Sequence, residues 1–219
     1  MALNKLKYNS LNVTPVANKA ISFDSDPDAL EATLEGGAMT FIKKLTASSS
    51  GTLSFVDGSS DVVLDSTYKE YMFIFNNIHP ATDNTDFAFN LSTDSGSNYN
   101  VTKTTTLFKA YHQESDGDAS LVYDTSRDLA QSTANQILAN SVGNGNDETS
   151  AGYLHLFNPS STTFVKHFIS VFNFYNSAST TVNNYIAGYG NTTSAVDAMQ
   201  FKMSSGNIDA GTITLYGIN

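Results

Sequence analysis

Acidic and amide side chains crowd into two short stretches, Asp116-Gly117-Asp118 and Gly143-Asn144-Gly145-Asn146-Asp147-Glu148. Their hard oxygens are the kind of ligand that Ca²⁺ takes. The spacing does not follow an EF-hand loop, and Gly/Asn-rich turns are ordinary between strands, so solvated loops are expected and no metal is assigned. The four histidines, His79, His112, His155 and His167, never approach the spacing of a helical zinc pair. His155 and His167 fall in strand-like runs and could meet across a sheet as half-buried strand residues. Glycoside hydrolysis needs two carboxylates across a cleft, one of them with a raised pKa. Asp57, Asp61, Asp65, Glu70, Asp83 and Asp86 are candidates, but none sits in a recognisable motif. No Gly-x-Ser-x-Gly elbow or phosphate-binding glycine loop occurs, and the absence of cysteine removes thiol nucleophiles, disulfides and Cys-based metal sites. The one arginine, Arg127, has no partner in any pattern legible along the chain. The expectation is a protein that is not an enzyme, with no catalytic, metal or cofactor-binding residues.

Aromatic rings are the remaining source of chemistry. Tyr99, Tyr111, Tyr123, Tyr153, Tyr185 and Tyr189 could stack on saccharides, with Asn and Asp as hydrogen-bond partners. Most strand aromatics are instead core residues or cross-strand pairs, and the lack of Trp weakens a lectin reading. Recognition of a host surface glycan, through loops between residues 115 and 150, therefore stands as the alternative reading.

The composition frames these residues. Charged side chains make up only 15% of the chain, against roughly 25% in ordinary soluble domains. Ser, Thr and Asn supply the polarity instead, as in turns and solvated strand faces. A net charge of −10 with scattered basic residues excludes a nucleic-acid partner, which would need clustered Lys and Arg. No run is apolar enough to span a membrane, and the N-terminus lacks the apolar core of a signal peptide. Sequons at Asn12, Asn90, Asn100 and Asn191 are expected by chance in an Asn/Thr-rich chain.

Residues 1–38 read differently from the rest. Pro15, Pro27, the acidic stretch Asp24-Ser25-Asp26-Pro27-Asp28 and Gly36-Gly37 interrupt every periodicity. An extended N-terminal arm that packs on a partner is expected there. From residue 39 to 219, strand signals of five to nine residues alternate with Gly/Ser/Asn turns. Phe41–Thr46, Thr52–Val56, Asp86–Leu91, Thr105–Tyr111, Tyr153–Phe157, Phe164–Phe172, Asn183–Tyr189, Ala198–Met203 and Thr212–Tyr216 all read as strands. Tyr71–Phe75 is apolar at every position and reads as a central strand buried on both faces. His79-Pro80 marks a strand end. Only Asp128–Val142 has the spacing for a helix, and residues 115–150 look like one long loop. The fold class expected is all-β: a β-sandwich or jelly roll with an N-terminal arm.

Three stretches carry a resemblance. They are Lys7–Pro15 with Gly36–Met39, then Ser54–Gly58, Tyr68–Tyr71 and Asn77–Thr82, and finally Leu156–Ser161 and Ser205–Ile208 leading to Gly211–Gly217. In this order they resemble uncharacterised virion structural proteins of marine tailed phages, of the pelagiphage and cyanophage type. The resemblance implies a non-enzymatic component of a bacteriophage virion, assembled in the host cytoplasm. It would be a capsid decoration (cement) protein or a tail appendage anchored by its arm to major capsid or tail proteins. Self-association, as a trimer by analogy with other particle proteins, is expected with it. The alternative within the same setting is a receptor-binding module of a tail fibre.

Overall fold

The computed structural model describes residues 38–219 and, before them, only the two-residue strands β1 (Ser22–Phe23) and β2 (Leu30–Glu31). β1 and β2 pair antiparallel, Ser22 with Glu31 and Phe23 with Leu30. The chain divides into two units, Met1–Gly37 and Ala38–Asn219. The expected arm, residues 1–38, thus lies almost wholly outside the described residues.

The second unit is all-β, and no helix occurs among the described residues. Its strands are β3 (Met39–Thr46), β4 (Leu53–Val56), β5 (Glu70–Pro80), β6 (Thr85–Ser92), β7 (Lys103–Gln113) and β8 (Ala119–Tyr123). They continue with β9 (Gln136–Val142), β10 (Ser150–Phe157), β11 (Lys166–Asn176), β12 (Thr180–Gly190), β13 (Ala198–Met203) and β14 (Ile208–Ile218). Four antiparallel pairs nest inside one another along the chain: β3 with β14, β4 with β13, β5 with β10 and β6 with β9. Two hairpins interrupt this nest, β7–β8 between β6 and β9, and β11–β12 between β10 and β13.

Further pairing gives two ladders. One runs β3-β14-β5-β10-β11-β12-β7-β8 and the other β9-β6-β13-β4. A single residue pair, Asn176 with Val142, joins them into one twelve-stranded, nearly closed antiparallel sheet.

The alternation of the strands explains where the core sits. Tyr71, Phe73 and Phe75 on β5 and Phe168, Phe172 and Phe174 on β11 are at most 1% exposed. Rings meet both within this ladder, as Phe75 and Phe172 do, and across to the other ladder, as Phe75–Phe201, Phe73–Phe55 and Phe168–Phe89 do. Phe75 lies 4.8 Å from Phe172 and 5.0 Å from Phe201, Phe55 lies 5.3 Å from Phe73, and Phe89 lies 5.1 Å from Phe168. Each buried ring contributes about 1.5–3 kcal/mol by leaving water. Edge-to-face pairs such as Phe89–Phe168 add about 0.5–1.5 kcal/mol.

Turn chemistry ends the strands as their sequences suggest. Ser204-Ser205-Gly206-Asn207 turns β13 into β14, and Gly206 takes φ +70° there, where a side chain would also run into Thr82. Pro80 is the last residue of β5.

Three expectations are corrected. Residues 128–142 hold no helix: Gln136–Val142 is a strand, because its Leu138 and Val142 are buried on one side against the core. The segment 115–150 is not one loop, since β8 and β9 both lie within it. β5 is central but not buried on both faces. Met72 and Ile74 alternate outward and stay part-exposed, because no other described element covers that side of the longer ladder.

Candidate interaction surface

The outward face of the longer ladder gathers the side chains that the core does not use. Register places Ile74, Tyr153, Val171, Tyr185, Phe108 and Tyr123 side by side in one row across six strands. A second row runs Tyr216, Met72, His155, Ile169, Ala187 and Thr106. At the centre, Phe108 and Tyr185 stack face to face, with centroids 4.9 Å apart and planes 6° from parallel. Ile169 remains 49% exposed, while its neighbours Phe168 and Ser170, pointing the other way, are closed off.

Fixed charge is absent from the outward strand positions of this surface. On β10, β11, β12, β7 and β8, every Asp, Glu, Lys and Arg either points inward or lies at a turn. The outward positions are Tyr, Phe, Ile, Val, Ala, Thr, Asn, Leu and three histidines, His112, His155 and His167. Beside it on β5, Glu70 pairs with His155.

Two shallow grooves cross the face near its ends. One of about 430 Å³ is lined by Thr104, Thr106, Phe157, His167, Ile169 and Tyr189. The other, of about 510 Å³, is polar and holds His112, Glu114, Asp147, Asn173, Tyr175 and Thr181.

The structure takes up the candidate residues one by one. Tyr123, Tyr153, Tyr185 and Tyr189 all stand on the outward face, whereas Tyr111 packs against the core and Tyr99 lies against Gly96 in the turn after β6. His155 and His167 sit on neighbouring strands but not opposite each other. His155 faces Ile169, and His167 faces Tyr189. His79 bonds the Gly145 carbonyl at 3.1 Å and lies 3.6 Å from Asp209.

Asp83 is exposed on the bend between β5 and β6, and the other candidate carboxylates are spent on turns, strand ends and surface pairs. Asp57 accepts from the Leu64 amide at 2.8 Å, Asp65 from Thr67 at 2.7 Å and Asp86 from Ser141 at 2.8 Å. Asp61 lies 4.0 Å from Lys43. In the acidic loops, Glu148 folds back onto the Gly145 amide, Asp116 bonds His112 at 2.9 Å, and Asp118 accepts from Tyr111 at 3.0 Å. Among the described residues no three His, Asp or Glu side chains come together as a metal cluster.

Two arrangements were not legible along the chain. Arg127 does have a partner: it and Lys109 each donate to Asp124 at 2.8 Å. Burial would push this carboxyl up, but Lys109, Ser126 and Arg127 overcome it and hold Asp124 well below the usual carboxylate range. The trio ties β7 to the segment after β8 and so braces the edge of the apolar face.

The second arrangement is a pair of fully buried lysines on either side of Gly190. Lys166 and Lys103 flank it in register on β11 and β7. Lys103 donates to Asn90 Oδ1 and to the Val101 carbonyl, and Lys166 to the carbonyls of Phe164 and Thr192. Burial without a carboxylate partner pushes Lys103 down to about 8 and lowers Lys166 as well. Neutral acceptors at both ends make this a structural device of the sheet.

No family model, curated protein or solved structure matches this chain.

Proposed function

We propose that the chain is a non-enzymatic structural component of a bacteriophage virion, and that residues 39–219 form a jelly roll widened by four strands. The observation that carries the reading is the nest of pairs β3/β14, β4/β13, β5/β10 and β6/β9. One long hairpin folded over on itself pairs its eight strands in this way, and the resulting double-sheet jelly roll is an architecture of viral capsid and lectin domains. The hairpins β7–β8 and β11–β12 then extend one sheet beyond β10, and the rings of Phe75, Phe172, Phe87 and Phe201 fill the space between the sheets. The resemblance to virion proteins of marine phages agrees with that architecture. The role is mechanical: a capsid decoration protein or tail appendage, joined to capsid or tail proteins through residues 1–38.

Copy number per particle tests this reading, by quantitative mass spectrometry of purified virions against the major capsid protein. Hundreds of copies support capsid decoration, and a few to a few dozen support a tail position. Absence from purified virions refutes the proposal. In the same particles, deletion of residues 1–35 should abolish incorporation while leaving the β domain folded.

One observation favours a receptor-binding module of a tail fibre as the second reading. The polar groove of about 510 Å³ brings Tyr175 together with Asn173, His112, Glu114 and Asp147, the mix of ring and hydrogen-bonding groups that a sugar needs. That reading requires the isolated protein to bind host polysaccharide, and loss of binding in Tyr175→Ala.

A further inference from the structure

We infer that the outward face of β10, β11, β12, β7 and β8 is where copies of this chain associate with one another. The inference rests on that face alone and holds whether or not the protein belongs to a virion.

The face has the composition of an interface centre. Ile169 is 49% exposed, Phe108 42%, Tyr123 52% and Tyr185 38%, and they lie in contiguous rows. Interface centres are depleted of charge and enriched in Tyr and Phe, and truncating such tyrosines is among the changes that most weaken binding. Monomeric proteins rarely leave an apolar patch of this extent open to water.

Its size is also sufficient. Five strands spaced about 4.8 Å apart, averaging about nine residues of about 3.3 Å each, cover an area equal to roughly 24 by 30 Å. That footprint, about 700 Å² before the relief of the side chains, approaches the roughly 800 Å² that each partner buries in a standard interface.

Charge selects the occupant. The chain carries a net charge of −10, and carboxylates sit at turns around the sheets, as at Asp116 and Asp147. Two copies meeting through those regions would set like charges against each other, which costs affinity. The outward face of β10–β12, β7 and β8 bears no fixed charge, so it is compatible with itself. A second copy buries the rings without setting any carboxylate or ammonium of these five strands into the contact; the acidic turns, with Asp128 bonded to Tyr123, stay at the wet rim, as does Glu70 beside His155.

The test uses the full chain at micromolar concentration, with mass measured by light scattering after size exclusion. Wild type should run at a multiple of the chain mass. Ile169→Asp and Tyr185→Glu, which alter exposed side chains and should leave the circular dichroism spectrum unchanged, should run at the monomer mass. Ser59→Glu, on an exposed turn away from the face, should behave as wild type. A monomeric wild type would overturn the inference, and if it also binds host polysaccharide through Tyr185 the face belongs to a glycan instead. Face variants that keep the wild-type mass, or a Ser59→Glu variant that dissociates as they do, would overturn it equally.

Discussion

Replacing Lys103 by Met should leave the protein about as stable as wild type at neutral pH and should remove a stability gain that wild type shows in alkali. Lys103 is fully buried, and burial lowers its ammonium to about 8. In the unfolded chain a lysine titrates near 10.4, as model peptides do (about 10.4). Between those two values the unfolded chain keeps a proton that the native protein has released, so stability rises with pH across the window. The whole window is worth about 3 kcal/mol, of which about 2–3 kcal/mol falls between pH 7 and pH 10.

Against this stands the loss of two hydrogen bonds. Asn90 Oδ1 keeps the Leu91 amide at 2.9 Å, whereas the Val101 carbonyl loses its Lys103 donor. One orphaned buried carbonyl costs about 1–3 kcal/mol, which nearly offsets the relief of burying no charge. Urea unfolding at pH 7 and pH 10 reads both terms. The two proteins should lie within about 2 kcal/mol of each other at pH 7, with wild type gaining on Lys103→Met by about 2–3 kcal/mol at pH 10. A difference independent of pH would refute the reasoning, because the ammonium would then be as well solvated in the fold as in the unfolded chain.

Other substitutions test the packing and the brace at the sheet edge. Phe172→Ala removes a ring that Phe75 and Phe87 both touch, and should cost about 3–5 kcal/mol of unfolding free energy measured in urea. Gly152→Ala should destabilise by about 1–3 kcal/mol, since the new Cβ would press on the Val171 carbonyl and the Phe172 backbone, which cannot rotate away as a side chain could. Asp124→Asn should cost about 1.5–3 kcal/mol at pH 7 through its charged hydrogen bonds to Lys109 and Arg127. Because the native Asp124 pKa is depressed, its stabilisation is fully present above about pH 4 and fades as pH falls toward the native value, so the gap between wild type and variant should be smaller at pH 3 than at pH 7.

Much of the strand pattern was legible because the turn-formers are explicit. Ser48-Ser49-Ser50-Gly51, Asp94-Ser95-Gly96-Ser97 and Ser204-Ser205-Gly206-Asn207 each separate strands consecutive in the chain, and Ser49, Ser95 and Gly206 adopt the positive φ that such residues tolerate. Residues 128–142 misled for a physical reason. Leu129, Ile137 and Leu138 fall at helix-like intervals, but Leu129 donates its amide to Thr105 Oγ1 and lies outside any strand, while Leu138 belongs to a strand that pairs with β6. Spacing alone cannot tell one helical face from residues of two separate elements. Arg127 was unreadable for a similar reason: Asp124 is near it in sequence, but Lys109, the other half of the brace, arrives only through the pairing of β7 with β8.

The strand Lys166–Asn176 shows why the candidate surface could not be read directly. Its inward residues Phe168, Phe172 and Phe174 and its outward residues Ile169 and Val171 are both apolar sets. In a sequence that pattern means burial on both faces, and the same inference for Tyr71–Phe75 proved wrong within this unit because nothing described covers Met72 and Ile74. The two statements are reconciled if the second cover comes from another molecule. The inner set suffices for the fold, since Phe75, Phe87, Phe172 and Phe201 already meet there at packing distance. Outward Ile169 at 49% exposure adds little to that core, and apolar residues in rows on a solvated sheet face invite unwanted association. A sequence patterned for burial on both sides, with only one side covered by the described residues, is the physical reason to look for the missing layer in a second copy.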